Sequence, residues 1–372
     1  MTRALPQVLL LVVLFSAALG SSGCSEGAEP ILSCLDERGI HPICGFHNPE
    51  DLSLLEDGHR LVVSQFGSMT DPEARGSLVV LDLDDEQIQL VYPLAPLAPP
   101  ATSNAEAKPA TGWGDPTCPG PPRPFNPRGI DMAQRGDGRL QLLVVNHGDR
   151  ESIEFFEVLP ESVNVLVIWR GCAIPPRGAY FNDVVNLPDG GFLATHMMER
   201  HGLIWGTIRA LMGGDTGVVY EWQQSTGFEI VSGTEGPFPN GIEVSADGSE
   251  IYLNLYMGNE VRRVSRASGE TLASAEVESP DNLSWAKDGR LLVASHVGGF
   301  SEYEPCMNLA AGACPMAFEI LALDPVSLEG DVIFANRGAP MGGGTVAIDV
   351  GGELVIGSFA GDRVIRAPLS VP

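Results

Sequence analysis

The chain has 372 residues, 44% hydrophobic and 19% charged, a balance that suits a folded globular protein and excludes a disordered one. Its formal net charge of −26 repels phosphate backbones, which argues against nucleic-acid binding, whereas metal cations are tolerated or attracted. Abundant Gly (44) and Pro (29) point to many short strands joined by turns.

The N-terminus reads as an address rather than as structure. Arg3 precedes the apolar run Val8 to Leu19, too short for a comfortable membrane span and suited to a secretory signal over residues 1–24. Ser21-Ser22-Gly23-Cys24 looks like a bacterial lipoprotein cleavage site, with Ser21 where Leu is usual and Cys24 as a lipid anchor. Simple secretion and a retained N-terminal anchor are the alternatives. In each case the chain is exported. Export gives meaning to Cys34, Cys44, Cys118, Cys172, Cys306 and Cys314: an even number in an oxidising compartment implies disulfides. Connectivity stays open, although Cys34–Cys44 and Cys306–Cys314 would close short loops.

Taken in chain order, one signal recurs six times. A tight-turn dipeptide precedes an apolar run at Asp57-Gly58, Asp137-Gly138, Asp189-Gly190, Asp247-Gly248, Asp288-Gly289 and Gly351-Gly352. Asp-Gly between apolar runs marks a hairpin, because both residues accept positive φ. Successive dipeptides are 41 to 80 residues apart, which leaves room for two more strands in each unit. The pattern predicts an all-β, six-bladed β-propeller over residues 46–372, with a sandwich as the alternative. Residues 25–45 are expected to supply the outer strand of the last blade. The Pro-rich stretch 93–127 reads as a surface insertion. Within 197–216, Leu203, Ile204, Trp205, Ile208, Leu211 and Met212 recur at helical spacing. The expectation there is a helix packed on the propeller face, with a lid or a membrane-facing patch as the alternatives.

Seven residues before four of the six turns stand Glu50, Asn182, Asn240 and Asp281, and the next position adds Asp51, Asp183 and Asn282. Equivalent positions of successive blades lie on a ring around the axis. The side chains of Glu50, Asn182, Asn240, Asp281 and Asn282 would then converge in the central channel as an all-oxygen cluster of charge −2. Calcium takes six or more such ligands in flexible geometry. Asp and Asn also open strands merely as turn formers, but four at one offset favour a metal site. On the returning strands, Asn146-His147, Thr195-His196 and Ser295-His296 offer general bases beside the ion.

Phe125-Asn126-Pro127-Arg128-Gly129-Ile130, followed by Leu142-Leu143-Val144-Val145-Asn146-His147, resembles the paraoxonase/arylesterase family. Glu50-Asp51, Asn182-Asp183, Phe238-Pro239-Asn240-Gly241-Ile242 and Asp281-Asn282 fall where that family keeps its calcium ligands. The resemblance covers roughly residues 45 to 370 and extends to the senescence-marker/gluconolactonase and strictosidine synthase-like propellers. It implies two calcium ions. A catalytic ion would be bound by Glu50, Asn182, Asn240, Asp281 and Asn282, and a structural ion by Asp51, Asp183 and the carbonyl of Ile130. His147 matches the outer His of the family's proposed pair, and Arg128 stands in place of the inner one. The family's disulfide between the N-terminal strand and the C-terminus has no partner here, because no Cys follows Cys314.

The expected activity is hydrolysis of a small lactone or aryl ester. Calcium would polarise the carbonyl, while His147, or Glu50 or Asp281 from the metal shell, activates water. Arg128 is always protonated and cannot be the base, but it could bind the oxyanion or a substrate carboxylate. A sugar lactonase of the gluconolactonase type and a non-enzymatic calcium-binding propeller are the rivals.

Overall fold

The computed structural model describes residues 29–67, 75–94, 108–161 and 164–369. The stretch read as a secretory signal, with Cys24, lies outside them. Six four-stranded antiparallel sheets are arranged as blades. The innermost strands are Pro49–Leu54, Pro127–Gln134, Phe181–Asn186, Pro239–Val244, Pro280–Trp285 and Gly344–Val350, and each packs against the next around the ring. Each is joined to its neighbour by one of the six turns read from the sequence. Gly58, Gly138, Gly190, Gly248, Gly289, Gly351 and Gly352 all have positive φ whereas the Asp of each Asp-Gly pair does not, so the turns form where the sequence asks for them but with the glycine alone in the left-handed region.

The core is divided into layers between blades rather than gathered at one centre. Val62 and Val80 of the first blade meet Leu142 and Phe156 of the second. Equivalent clusters join every other neighbouring pair, such as Leu193 with Ile251 and Leu292 with Ile356.

The last blade is completed from the other end of the chain. His41–Cys44 pairs antiparallel with Arg363–Pro368 as the outermost strand. Arg363 is fully buried and clasps this closure, donating to the carbonyls of Ile31, Ser33 and Pro340. Closure of this kind hides a sheet edge. Disulfides join Cys34 to Cys44, Cys118 to Cys172 and Cys306 to Cys314. The two short loops are thus closed as their spacing allowed.

Two readings need correction. The described part of the Pro-rich stretch is irregular, yet it is not superficial. Trp113 is fully buried among Leu143, Val145 and Phe155, and the disulfide of Cys118 binds the segment to the second blade. The helix Leu203–Leu211 exists, but it does not bury its large apolar residues. Ile204, Trp205, Leu211 and Met212 are 71–77% exposed, and the small residues face the protein instead. Ala210 is buried, and a Cβ at Gly206 would meet Met198 Sδ at 2.8 Å. The helix docks through its thin side because Gly206 and Ala210, four apart, allow close approach there.

Candidate metal centre

The same irregularity opens every innermost strand. Its register with the second strand shifts between Pro49 and Asp51, Pro127 and Ile130, Phe181 and Val184, Pro239 and Ile242, Pro280 and Leu283, and Gly344 and Val346. A bulge re-aims side chains that a regular strand would send into the sheet faces. The residues inside these bulges include Glu50, Arg128, Asn182, Asn240, Asp281 and Asn282. Four of the strands begin with Pro, which needs no ladder hydrogen bond at a strand's first position. Neighbouring blades approach so closely that a Cβ at Gly241 would lie 2.4 Å from the carbonyl oxygen of Asp281.

The bulges gather oxygens with nothing to bond. Glu50, Asn182, Asn240, Asp281 and Asn282 are all buried. Both carboxylate oxygens of Glu50, Oδ1 of Asp281 and Oδ1 of each of the three Asn side chains lack a hydrogen-bond partner. Stranding so many polar atoms together would cost several kcal/mol unless something else satisfies them. An all-oxygen set with two carboxylates is what a hard divalent cation takes, so these residues fit a calcium ion. Burial, opposed by Arg128, pushes Glu50 up to about 7, and Asp281 adds to the rise. Asp281 is pushed up to about 7 by burial, again against Arg128. Both shifts express charge that lacks enough compensation.

Arg128 belongs to this ring. Its Nε lies 3.4 Å from Glu50 Oε1 without hydrogen-bond geometry, and its side chain is 11% exposed. The guanidinium stands over the Phe66 ring, 5.6 Å from the centroid. Burial opposes its charge, but Glu50, Tyr180 and Asp281 outweigh that and raise its pKa further.

Asp51 and Asp183 lie one residue further along their strands and act differently. Asp51 accepts from the amides of Leu52 and Ile130, and Asp183 from those of Val184 and Ile242. Each therefore stitches its blade to the next. Burial raises both well above the usual carboxylate range, and for Asp51 the neighbouring Asp183 adds to it. Both line a cavity of about 350 Å³, together with Asp131, Glu243 and Asp349. A cation between Asp51 and Asp183 would relieve two like charges and leave the stitches in place.

The three strand-end histidines are all buried but differently engaged. His196 Nδ1 accepts from the Tyr180 amide and is occupied by structure. His296 Nδ1 pairs with the Tyr256 hydroxyl at 3.0 Å, and its Nε2 lies 3.6 Å from Asp281 Oδ2. Burial lowers His296 to about 4, so it is neutral at neutral pH. His147 Nδ1 meets Glu151 Oε2 at 3.0 Å, while its Nε2 is buried without a partner. Glu151, Tyr180, Tyr256 and Phe66 had escaped the sequence reading. They lie in connections outside the hairpin pattern or at strand ends, and only the Glu four residues after His147 left any signal.

The Arylesterase family's sequence profile matches residues 50–364, from the first ring residue to the last blade. Serum paraoxonase/arylesterase 1 of Homo sapiens is 26% identical over 256 residues, which span 63% of this chain and 66% of that protein. Among solved structures, a luciferin-regenerating enzyme superposes with a TM-score of 0.52 at 12% identity, covering 89% of this chain and 98% of that one. A calcium-binding protein, regucalcin, from Agrobacterium tumefaciens gives 0.50 at 12% identity, covering 89% and 96%. The structural likeness carries the propeller fold alone. The sequence match runs across the whole ring of bulges, and by it the chain belongs to the arylesterase family.

Proposed function

We propose that this chain is a calcium-dependent hydrolase of lactones or aryl esters. The buried, unpartnered oxygens of Glu50, Asn182, Asn240, Asp281 and Asn282 carry the reading, and membership of the arylesterase family supports the choice of reaction. These five residues would hold the catalytic ion. Asp51, Asp183 and the carbonyl of Ile130 would hold a structural one. An ion held there would supply a Lewis acid to polarise an ester carbonyl and offset charge developing on its oxygen.

The remaining roles fall to the chain's own residues. His147 presents an unpartnered Nε2 and takes the proton from the attacking water. Arg128, fixed as a cation, holds an anionic or oxygen-rich part of the substrate near the reacting carbonyl. Glu50 and Asp281 stay ionised beside the metal and are the alternative bases. Three disulfides support an oxidising destination, in keeping with an exported protein and with Cys24 as its lipid anchor.

Turnover of aryl esters, aliphatic lactones and sugar lactones, measured with and without chelator, tests the proposal. Hydrolysis of at least one class that is lost on chelation is the expected result, and sugar lactones alone would make it a sugar lactonase. Arg128 beside Glu50, at the position where the family keeps a histidine, favours a second reading, a calcium-binding propeller without hydrolysis, because a guanidinium cannot take a proton from water. Calcium binding without turnover of any class would establish that reading and overturn the first.

A further inference from the structure

We infer that Glu151 is the positioning residue of the base: it fixes His147 in the tautomer that leaves Nε2 free to accept a proton. The inference rests on the role given to His147 above. Glu151 is itself held firmly, its side chain 9% exposed. Its Oε1 accepts from the Phe181 amide at 2.7 Å, and its Oε2 lies 3.3 Å from Arg200 Nη1 and 3.0 Å from His147 Nδ1. Arg200 also donates to the His147 carbonyl through Nη2 at 3.1 Å. An ionised carboxylate only accepts, so the hydrogen between Glu151 and His147 sits on Nδ1.

The ring has no easy way to turn over. Tyr180 packs against it with centroids 4.6 Å apart, and Phe66 meets it edge-on at 6.2 Å. Phe66 also lies beneath Arg128, so one aromatic ring meets both the imidazole and the guanidinium of the bulge ring. Phe181 directly precedes Asn182, so Glu151 ties the base to a ligand-bearing strand. Arg128 offers no acceptor. The tautomer of His147 therefore decides whether Nε2 can take a proton, in the way that a buried carboxylate orients a catalytic imidazole elsewhere.

Nitrogen-15 NMR of the His147 ring, with and without calcium, reads the tautomer independently of turnover. The wild-type protein should carry its neutral-state hydrogen on Nδ1. In Glu151→Ala the hydrogen should move largely to Nε2, with kcat falling at least about tenfold and KM changing less than about threefold. Glu151→Gln has one acceptor oxygen for the donors that two oxygens of Glu151 serve, so it should restore the Nδ1–H form and kcat only in part. Where Glu151→Ala does not fold, the wild-type and Glu151→Gln spectra decide. An Nε2–H tautomer in the wild type, or an unchanged tautomer in Glu151→Ala, overturns the inference. Undiminished kcat in His147→Gln overturns the base role itself and the catalytic purpose of Glu151 with it, whichever tautomer is found.

Discussion

Arg128 Nε stands 3.4 Å from Glu50 Oε1, and both belong to the ring of bulged residues at the channel mouth. A permanent cation thus occupies one position of a ring whose other side chains offer oxygen. Two charges about 4 Å apart interact by roughly 4 kcal/mol at an effective dielectric constant near 20. The guanidinium would therefore weaken a calcium ion held by this ring. Arg128→His should tighten calcium by at least about tenfold in titration calorimetry, and raise turnover of neutral aryl esters or aliphatic lactones relative to anionic substrates. Unchanged affinity and unchanged preference would remove Arg128 from the functional site.

In the proposed site, Glu50 and Asp281 would make calcium binding depend on pH. In the calcium-free protein both are pushed up to about 7, so between about pH 4 and 7 the folded chain holds protons that the unfolded chain has released. Stability of the calcium-free protein should therefore fall as pH rises through that window. A calcium ion held by these carboxylates would have to displace the same protons, so its affinity should rise from pH 6 to pH 8, with net proton release near pH 6. Calorimetry in buffers of different ionisation enthalpy measures that release. Its absence would mean that neither carboxyl meets the ion.

Calcium should raise the melting temperature, since a ligand that binds only the folded state stabilises it by mass action. Asp51→Asn and Asp183→Asn each keep an acceptor for the blade-to-blade amides of Ile130 and Ile242 while removing the charge. Their calcium-dependent melting shift should shrink, with kcat at saturating calcium altered far less. A full shift in both variants would argue against the second ion.

Asn240→Ala and Asn282→Ala remove Oδ1 atoms that bond to nothing in the protein. Calcium-free melting should stay nearly unchanged, while hydrolysis falls by at least about a hundredfold. Wild-type turnover in both would place the chemistry elsewhere.

Gly241→Ala is expected to cost about 1–3 kcal/mol or more, because its Cβ would be driven into the backbone of Asp281 and Asn282. Denaturant unfolding measures it. A neutral result would show that the two bulges can separate without loss.

What the sequence determined by itself was whatever local chemistry decides. Asp-Gly pairs, five of them, and the Gly351-Gly352 pair favour tight turns, so six hairpins were legible, and four candidate ligand positions followed from their shared distance to the turn. That rule missed Arg128 because its strand, Pro127–Gln134, has eight residues where Pro49–Leu54 has six, so a seven-residue count lands on Ile130. The Pro opening both strands would have aligned them. Tertiary structure alone decided the rest. Helical spacing marked an apolar face over residues 203–212, but burial depends on what lies opposite, and the small face of Gly206 and Ala210 fits the protein more closely. Likewise, Glu151 reaches His147 only because a loop turns back and Phe181 and Arg200 hold the carboxylate there. The order of residues records which hairpins form; the packing of blades around an axis determines which side chains those hairpins bring together.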